Sequence, residues 1–418
     1  MILIKKVLLI SSIIGVMNAT TLKEAITSTM QNNQTLKSLH IEDNAKFKEY
    51  QSVSNTFNPT LNIGANLLRL DGDTRAVQVG TTTTGFVKFG LDLYDGGKNS
   101  ATKRAKKYES NISKLDTTTN TKEILLQVVT TFFNTKTVIE NIKVFKEKSS
   151  TLKAQYERIK EKYELKMATI DEVLKLQSEY ETNQYDIQNL QYQKAQLLQN
   201  LSLLTGTIIT NLDNSNLPDI LNLQYQDSEA IKALKLAVKA QKENTNAIDS
   251  VNKPHIKVED SYNIYNYDDY NSKILNDLPD QQNQLSLTLT YNLFDTTSKH
   301  KTESAKLQEL ALKQKLSYAI SKEKMKFNLA KQKLKIQKLK IISLKSAVEM
   351  GNSVYNMVKI KYQNGIVDNI TYLDALSKKV YNKALYIQAL NDYEIAKATY
   401  YFSSGIDFKT IPNFLIWK

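Results

Sequence analysis

The chain repeats itself at a separation of 200 residues, and inside the repeated block the spacing of apolar residues changes from two to three and a half. LDLYDGGKNSATKRAK runs from Leu91 to Lys106, and YNLFDTTSKHKTESAK from Tyr291 to Lys306. Leu93, Asp95, Thr102, Ala105 and Lys106 recur as Leu293, Asp295, Thr302, Ala305 and Lys306, with Tyr94 answered by Phe294. A second block recurs at a separation of 199, where Lys162, Tyr163, Leu174 and Gly206 return as Lys361, Tyr362, Leu373 and Gly405. Two tandem copies of one supersecondary unit are what this sequence has to fold. The expected layout is repeat 1 over 20–210, a linker over 211–227, repeat 2 over 228–405 and a tail over 406–418.

Each copy begins with a helical pattern that runs up to a proline. In the first, Leu22, Ala25, Ile26, Leu36, Leu39 and Ile41 predict helix from Thr21 toward Thr56, before Pro59; in the second, Ala230 to Val251 precedes Pro254. Beyond each proline the period becomes two. Leu61, Ile63, Ala65 and Leu67 alternate with Asn62, Gly64 and Asn66, and Val87, Phe89, Leu91 and Leu93 alternate with Lys88, Gly90 and Asp92. Leu285, Leu287, Leu289, Tyr291 and Leu293 form the cleanest alternation, while His255 to Tyr267 is interrupted by Asp260. Hairpins over 58–95 and 254–295 follow. Runs of about ten residues with one apolar side suit a tilted strand crossing an outer membrane, and equally a half-buried strand of a soluble sandwich.

The helices separate those two possibilities. Lys98 to Lys166 contains neither proline nor glycine, so a continuous helix there would reach roughly 100 Å. Ser298 to Asn364 is broken only by Gly351. Helices of that length cannot wrap one compact core and must lie side by side. A heptad seam then runs Val173, Leu176, Tyr180, Asn183, Ile187, Leu190, Lys194, Leu197, Leu201, Leu204. Its counterpart reads Tyr372, Ala375, Lys379, Asn382, Tyr386, Ala389, Tyr393, Ala396, Tyr400, Ser403, alternating large and small residues.

Composition narrows the setting. Lys5 and Lys6, the apolar run Val7 to Val16 and the ending at Ala19 predict a secretory signal peptide over 1–19. With no cysteine there is neither a disulfide scaffold nor a lipid-bearing thiol. No later apolar run approaches the ~18 residues of a spanning helix, so any membrane entry must use strands. The net charge of +13 is spread along helix faces, as in Ser321 to Lys345, and with an exported chain this excludes a nucleic-acid partner. The three histidines, His40, His255 and His300, fall in different elements and support neither a metal site nor a catalytic base. Neither an enzyme nor a cofactor is expected.

Four strands cannot close a membrane barrel, and an open sheet edge in lipid leaves backbone groups unsatisfied. Strands must therefore be pooled between copies, eight from two chains or twelve from three.

Here the residues resemble the TolC-type outer-membrane efflux protein family over essentially all of the chain after its signal. The carriers are Leu22, Ala25 and Asn33, Pro59, the turn Leu93-Tyr94-Asp95-Gly96-Gly97-Lys98, the pairs Lys162-Tyr163 and Lys361-Tyr362, and the helix ends at Gly206 and Gly405. Thr296-Thr297 replaces the glycine pair in the second copy, and Gln34 stands at a usual proline.

The resemblance implies a mixed α/β membrane protein of two tandem structural repeats. Mostly long α-helices form a trimeric periplasmic α-barrel, and four β-strands per chain contribute to a 12-stranded transmembrane β-barrel. It implies a homotrimer in contact with outer-membrane lipid in a Gram-negative cell, reaching into the periplasm. That trimer passively conducts drugs, other small molecules or proteins in a tripartite efflux or type I secretion system. A periplasmic adaptor (membrane fusion protein) and an inner-membrane transporter are the implied partners, with the adaptor grasping the turns Leu165-Lys166-Met167 and Asn364-Gly365-Ile366. At the inner mouth it implies acidic constriction positions at Thr371 and Asp374, with Asp368 able to substitute. A closing hydrogen bond is implied from Tyr362 to Glu172, with Asp171 as alternative acceptor. The family's second closing link is missing, its basic position falling on Val367. A secreted coiled-coil adhesin or surface fibre without transport is the competing function; it leaves the alternating strands without use.

Overall fold

The computed structural model describes residues 19–54, 59–71, 77–219 and 222–406. The expected signal segment up to Asn18, the end of the first helical pattern at Thr56 and the tail from Asp407 lie outside the described residues. The elements are α1 (Leu22–Asn32), α2 (Gln34–Ser52), β1 (Thr60–Arg69), β2 (Thr81–Asp95), α3 (Lys98–Glu164), α4 (Ile170–Thr205), α5 (Glu229–Asp249), β3 (His255–Asp268), β4 (Gln281–Thr290), α6 (Thr296–Gln363) and α7 (Asn369–Ser403).

The first helical pattern is two helices rather than one. Asn33 leaves helical geometry with ψ of 124°, its carboxamide oxygen accepts the Leu36 N–H at 3.0 Å, and its Nδ2 donates to the Leu204 carbonyl at 2.8 Å. A side chain able to cap one helix while tying it to another ends the run that periodicity alone continues. Thr21 and Glu24 close a capping box at the start of α1, each accepting from the other's backbone N–H.

Residues 40–116 and 230–319 form one compact unit. Its antiparallel sheet has the order β1-β2-β3-β4, which leaves β1 and β4 as edges. Cross-strand pairing puts Leu61 and Ile63 beside Phe89 and Val87, and Val258 beside Leu287, on one face. Leu61, Ile63, Leu67, Val87, Phe89, Tyr262, Ile264, Leu285, Leu287 and Leu289 all share this face and all are exposed. Asp260 interrupts it, opposite Phe89 and Leu285, with Oδ1 shielded and without a hydrogen-bond partner. The other face is polar, and Glu259 there accepts from Lys88 at 2.8 Å and Lys257 at 2.9 Å.

Strand bounds differ from the alternating runs. β2 reaches back to Thr81 because its threonines pair along β1 and β3 although they do not alternate with apolar residues. β4 ends at Thr290, so Tyr291 and Leu293 lie beyond it. Asp95 accepts from the N–H groups of Gly97 (3.0 Å) and Asn99 (2.6 Å). Asp295 accepts from Thr297 (2.9 Å) and Ser298 (3.2 Å) in the same way. Lacking the glycine pair, the second copy starts its helix two residues earlier in the repeat, at Thr296.

The other unit comprises residues up to 39, 117–229 and from 320 onward. Leu22, Ala25 and Ile26 of α1 pack with Leu125, Val128, Phe132 and Phe133 of α3, Leu201 and Leu204 of α4 and Ala398 and Tyr401 of α7. Every member of the two heptad seams is buried or half-buried. Their asparagines are used: Asn183 donates to the Phe145 carbonyl at 3.1 Å and Asn382 to that of Ala347 at 3.0 Å. Two buried ion pairs hold the non-helical segments down. Lys122 pairs with Glu229 and donates to the Ile406 carbonyl at 2.6 Å. Lys397 pairs with Glu394 at 2.8 Å, and together they take the carbonyl and N–H of Leu217 in the linker. Among the described residues no helix is long and apolar enough to cross a membrane.

Candidate functional site at the helix-to-helix turns

α3 turns into α4, and α6 into α7, through the same backbone. In the first turn the N–H of Lys166 donates to Tyr163 and that of Met167 to Lys162, at 2.9 and 2.8 Å; in the second, Gly365 donates to Tyr362 and Ile366 to Lys361, at 3.1 and 2.9 Å. Such paired bonds close a helix end through one left-handed residue. Gly365 holds it at φ 71° and Lys166 at φ 61°, so the missing glycine does not change the turn. Leu165, Met167 and Ile366 are exposed, as are Lys166 and Asn364.

Below the turns one apolar cluster joins Leu152 and Ile159 of α3, Val173 and Leu176 of α4, Tyr355 of α6, and Tyr372, Leu373 and Leu376 of α7. Tyr372 is fully buried. Tyr362 stacks on it at a centroid distance of 4.8 Å and 17°, and the Tyr355 and Tyr372 hydroxyls meet at 3.2 Å. The Lys379 ammonium sits 4.4 Å from the centre of the Tyr355 ring. Burial lowers its pKa, helped by Lys383 and opposed by Glu147.

The expected bond from Tyr362 to Glu172 is not formed. The Tyr362 hydroxyl is shielded and has no hydrogen-bond partner among the described residues. Burial pushes its pKa up, nearby Glu172 adds to this, and Arg158 opposes it. Glu172 is the third residue of α4, and its carboxylate reaches back to the Thr169 N–H at 3.5 Å. A helix N-terminus is the stronger local claim on that carboxylate.

Asp368 is similarly occupied: as N-cap of α7 it accepts from the Thr371 N–H at 2.8 Å and hydroxyl at 2.6 Å. These bonds, the hydroxyl's first, hold its carboxyl below the usual range. Asp171 and Asp374 are exposed. Sequence reasoning missed the partners of Tyr362. Tyr355 and Tyr362 stand seven apart on one helix, a spacing that puts both rings on one face. It also missed Asn369, buried with both side-chain polar atoms unpartnered.

Residues 25–207 match the model of the outer membrane efflux protein family. That segment is similar to the family. Among curated proteins none matches by sequence. Similar solved structures include a membrane protein from Pseudomonas aeruginosa (TM-score 0.80, 16% identity, 92% of this chain and 90% of that one). The outer membrane protein VceC of Vibrio cholerae gives 0.79 and 12%, over 93% and 96%. The CmeC outer membrane channel of Campylobacter jejuni gives 0.78 and 16%, over 94% and 89%. The fold shared with these structures thus extends well beyond the segment the family model matches. The two turns described above lie at Glu164–Thr169 and Gln363–Asp368 within it.

Proposed function

We propose that three copies of this protein close into one exit duct in the outer membrane, their strands forming a twelve-stranded barrel and their helices a tunnel in the periplasm. The observation that carries this reading is the sheet: one face apolar and exposed over all four strands, with two edges that pair with nothing among the described residues. Lipid can cover such a face, but only further strands can satisfy such edges. A second surface asks for the same partner. Leu329, Ile336, Leu339, Met350, Val354 and Met357 are exposed along α6 at spacings of three, four, seven and eleven residues, the stripe of a helix that packs against another.

The duct is passive and uses no cofactor. It works with a periplasmic adaptor and an energised inner-membrane transporter, in a tripartite efflux or type I secretion assembly, and the adaptor meets the exposed turns at Leu165–Met167 and Asn364–Ile366. Three-fold symmetry makes Asp374 a ring of carboxylates that favours cations. Asp368, engaged as a cap, contributes less.

Outer-membrane fractions run on gels without boiling, followed by planar-bilayer recording of the purified protein, test this. A heat-dissociable trimer with cation-selective channels is expected, with selectivity reduced in Asp374→Ala. A monodisperse water-soluble monomer that conducts nothing would end the reading.

A further inference from the structure

Three aromatic rings stand on the polar face of the sheet. Alternation along β2 and β3 sets Phe86, Tyr265 and Tyr267 opposite in direction to Val87 and Ile264. Tyr262, on the apolar face, is an ordinary aromatic of a membrane-facing surface, but these three are not. Phe86 lies over Gly64, where a Cβ would come within 2.6 Å of the ring. Tyr265 and Tyr267 stack at 5.7 Å and 15°, and Tyr270 meets Tyr267 edge-on at 6.4 Å and 72°. The Tyr265 hydroxyl donates to Gln282 Oε1 at 3.3 Å and the Tyr267 hydroxyl to the Pro279 carbonyl at 3.0 Å. Rings anchored at both ends have little rotamer freedom left to lose on meeting a ligand.

The charge around them departs from the rest of the chain. Between Asp268 and Asp280 there are four aspartates, Asp268, Asp269, Asp277 and Asp280, against the single Lys273, in a protein of net charge +13. Aromatic faces and negative charge together attract a flat ring that carries positive charge.

Resting on the duct reading, in which the polar face lines the lumen, the geometry points to a stacking site for planar aromatic cations on Tyr265 and Tyr267, at the end of the barrel where β3 turns into β4. Three copies place three such pairs around one opening. Each is a shallow, weak site, as a conduit requires, because a cargo held tightly at the exit would plug it.

Ethidium, a planar aromatic cation, is the probe, applied to single channels in planar bilayers. Tetraethylammonium supplies the same charge without a ring. Ethidium is expected to block at a concentration about tenfold lower than tetraethylammonium. Tyr265→Leu/Tyr267→Leu should abolish that difference with the unblocked conductance unchanged, and Tyr265→Phe/Tyr267→Phe, which keeps the rings, should preserve it. Equal block by the two cations in the unmodified protein overturns the site without needing any variant, as does ethidium block that persists in the leucine variant. A protein that blocks with neither but conducts normally refutes the site and leaves the duct standing; one that forms no channel removes both.

Discussion

Lys166 and Gly365 hold the same left-handed conformation inside the same pair of backbone hydrogen bonds, yet the side chains beneath the two turns are organised differently. Tyr163, before the first turn, is exposed, whereas Tyr362, before the second, lies flat on Tyr372. The residue that makes the difference is one turn into the following helix: Val173 in α4, Tyr372 in α7. A valine is too short to offer a stacking face, so Tyr163 stays in solvent. The second turn gains a three-tyrosine cluster, Tyr362 stacked on Tyr372 and Tyr355 tilted against it, and takes on a cost with it. Tyr362 Oη and both polar atoms of Asn369 are shielded and unpartnered, while none of the buried unpartnered atoms belongs to residues 163–174. An unpartnered buried polar group costs about 1–3 kcal/mol. The first turn is therefore relaxed, and the second is packed tightly around unmet hydrogen-bonding capacity, which makes it the one poised to rearrange.

Giving the second turn the first one's residue is the strongest way to break this contrast. Tyr372→Val empties a fully buried site and should cost about 2–4 kcal/mol, measured by denaturant unfolding of the assembled protein, with Tyr362 becoming as accessible to quenchers as Tyr163. A cost below about 1 kcal/mol would mean the stack does not organise the turn.

Tyr362→Phe is the next in size and the sharper in sign. A hydroxyl that locks the mouth makes its removal destabilising and raises resting conductance. An unpartnered hydroxyl makes removal neutral or stabilising by up to about 1 kcal/mol, with conductance unchanged. The geometry predicts the second outcome, and a loss of stability would show that the hydroxyl finds a partner in the assembly.

Exchanging the left-handed residues probes the backbone alone, because nothing lies within 4 Å of a Cβ added at Gly365. Lys166→Gly should stabilise by about 1 kcal/mol and Gly365→Lys should destabilise by a similar amount, read as opposite shifts of the thermal midpoint. Equal signs would show that the turns differ in backbone after all.

The smallest effect is a pH dependence. The folded pKa of Asp368 is depressed by its bonds from Thr371, so its contribution is complete above the ordinary carboxylate range and is lost as pH falls through the folded value. Acidification should speed amide exchange at the start of α7, where Asp368 itself accepts the Thr371 N–H at 2.8 Å, more than at the start of α4, where the Glu172 carboxylate holds the Thr169 N–H only at 3.5 Å. Parallel acceleration at both starts would deny Asp368 this role.

What could be read from the residues follows the range over which their signals act. The seams from Val173 to Leu204 and from Tyr372 to Ser403 were legible because each residue's burial depends on its own period, repeated ten times. The turn at Gly96-Gly97 was legible in its glycine pair, whereas the bonds that Asp95 and Asp295 accept there came only with the structure, although they act over two to four positions. The first helical pattern misled because Asn33 bonds to Leu204, a partner 171 residues away that no local pattern contains. The lock from Tyr362 misled for the reverse reason: a distant role was assigned to Glu172 when its nearest use, the start of its own helix, was stronger. The Tyr355, Tyr362 and Tyr372 cluster mixes both, with the first two readable from a seven-residue spacing and the third supplied by another helix.

The two open edges of the sheet also bear on how the protein reaches its membrane. A lone chain entering lipid would carry the unpaired strand edges of β1 and β4, ten residues each, into a medium where every unsatisfied group costs several kcal/mol. On the three-chain reading proposed above, insertion and association become a single event rather than successive ones. On that reading the rate of insertion climbs more steeply than in proportion to the amount of chain delivered, because several chains must meet in one step. Where unassembled chains are also degraded, halving the supply of a protein built this way removes more than half of its finished channels.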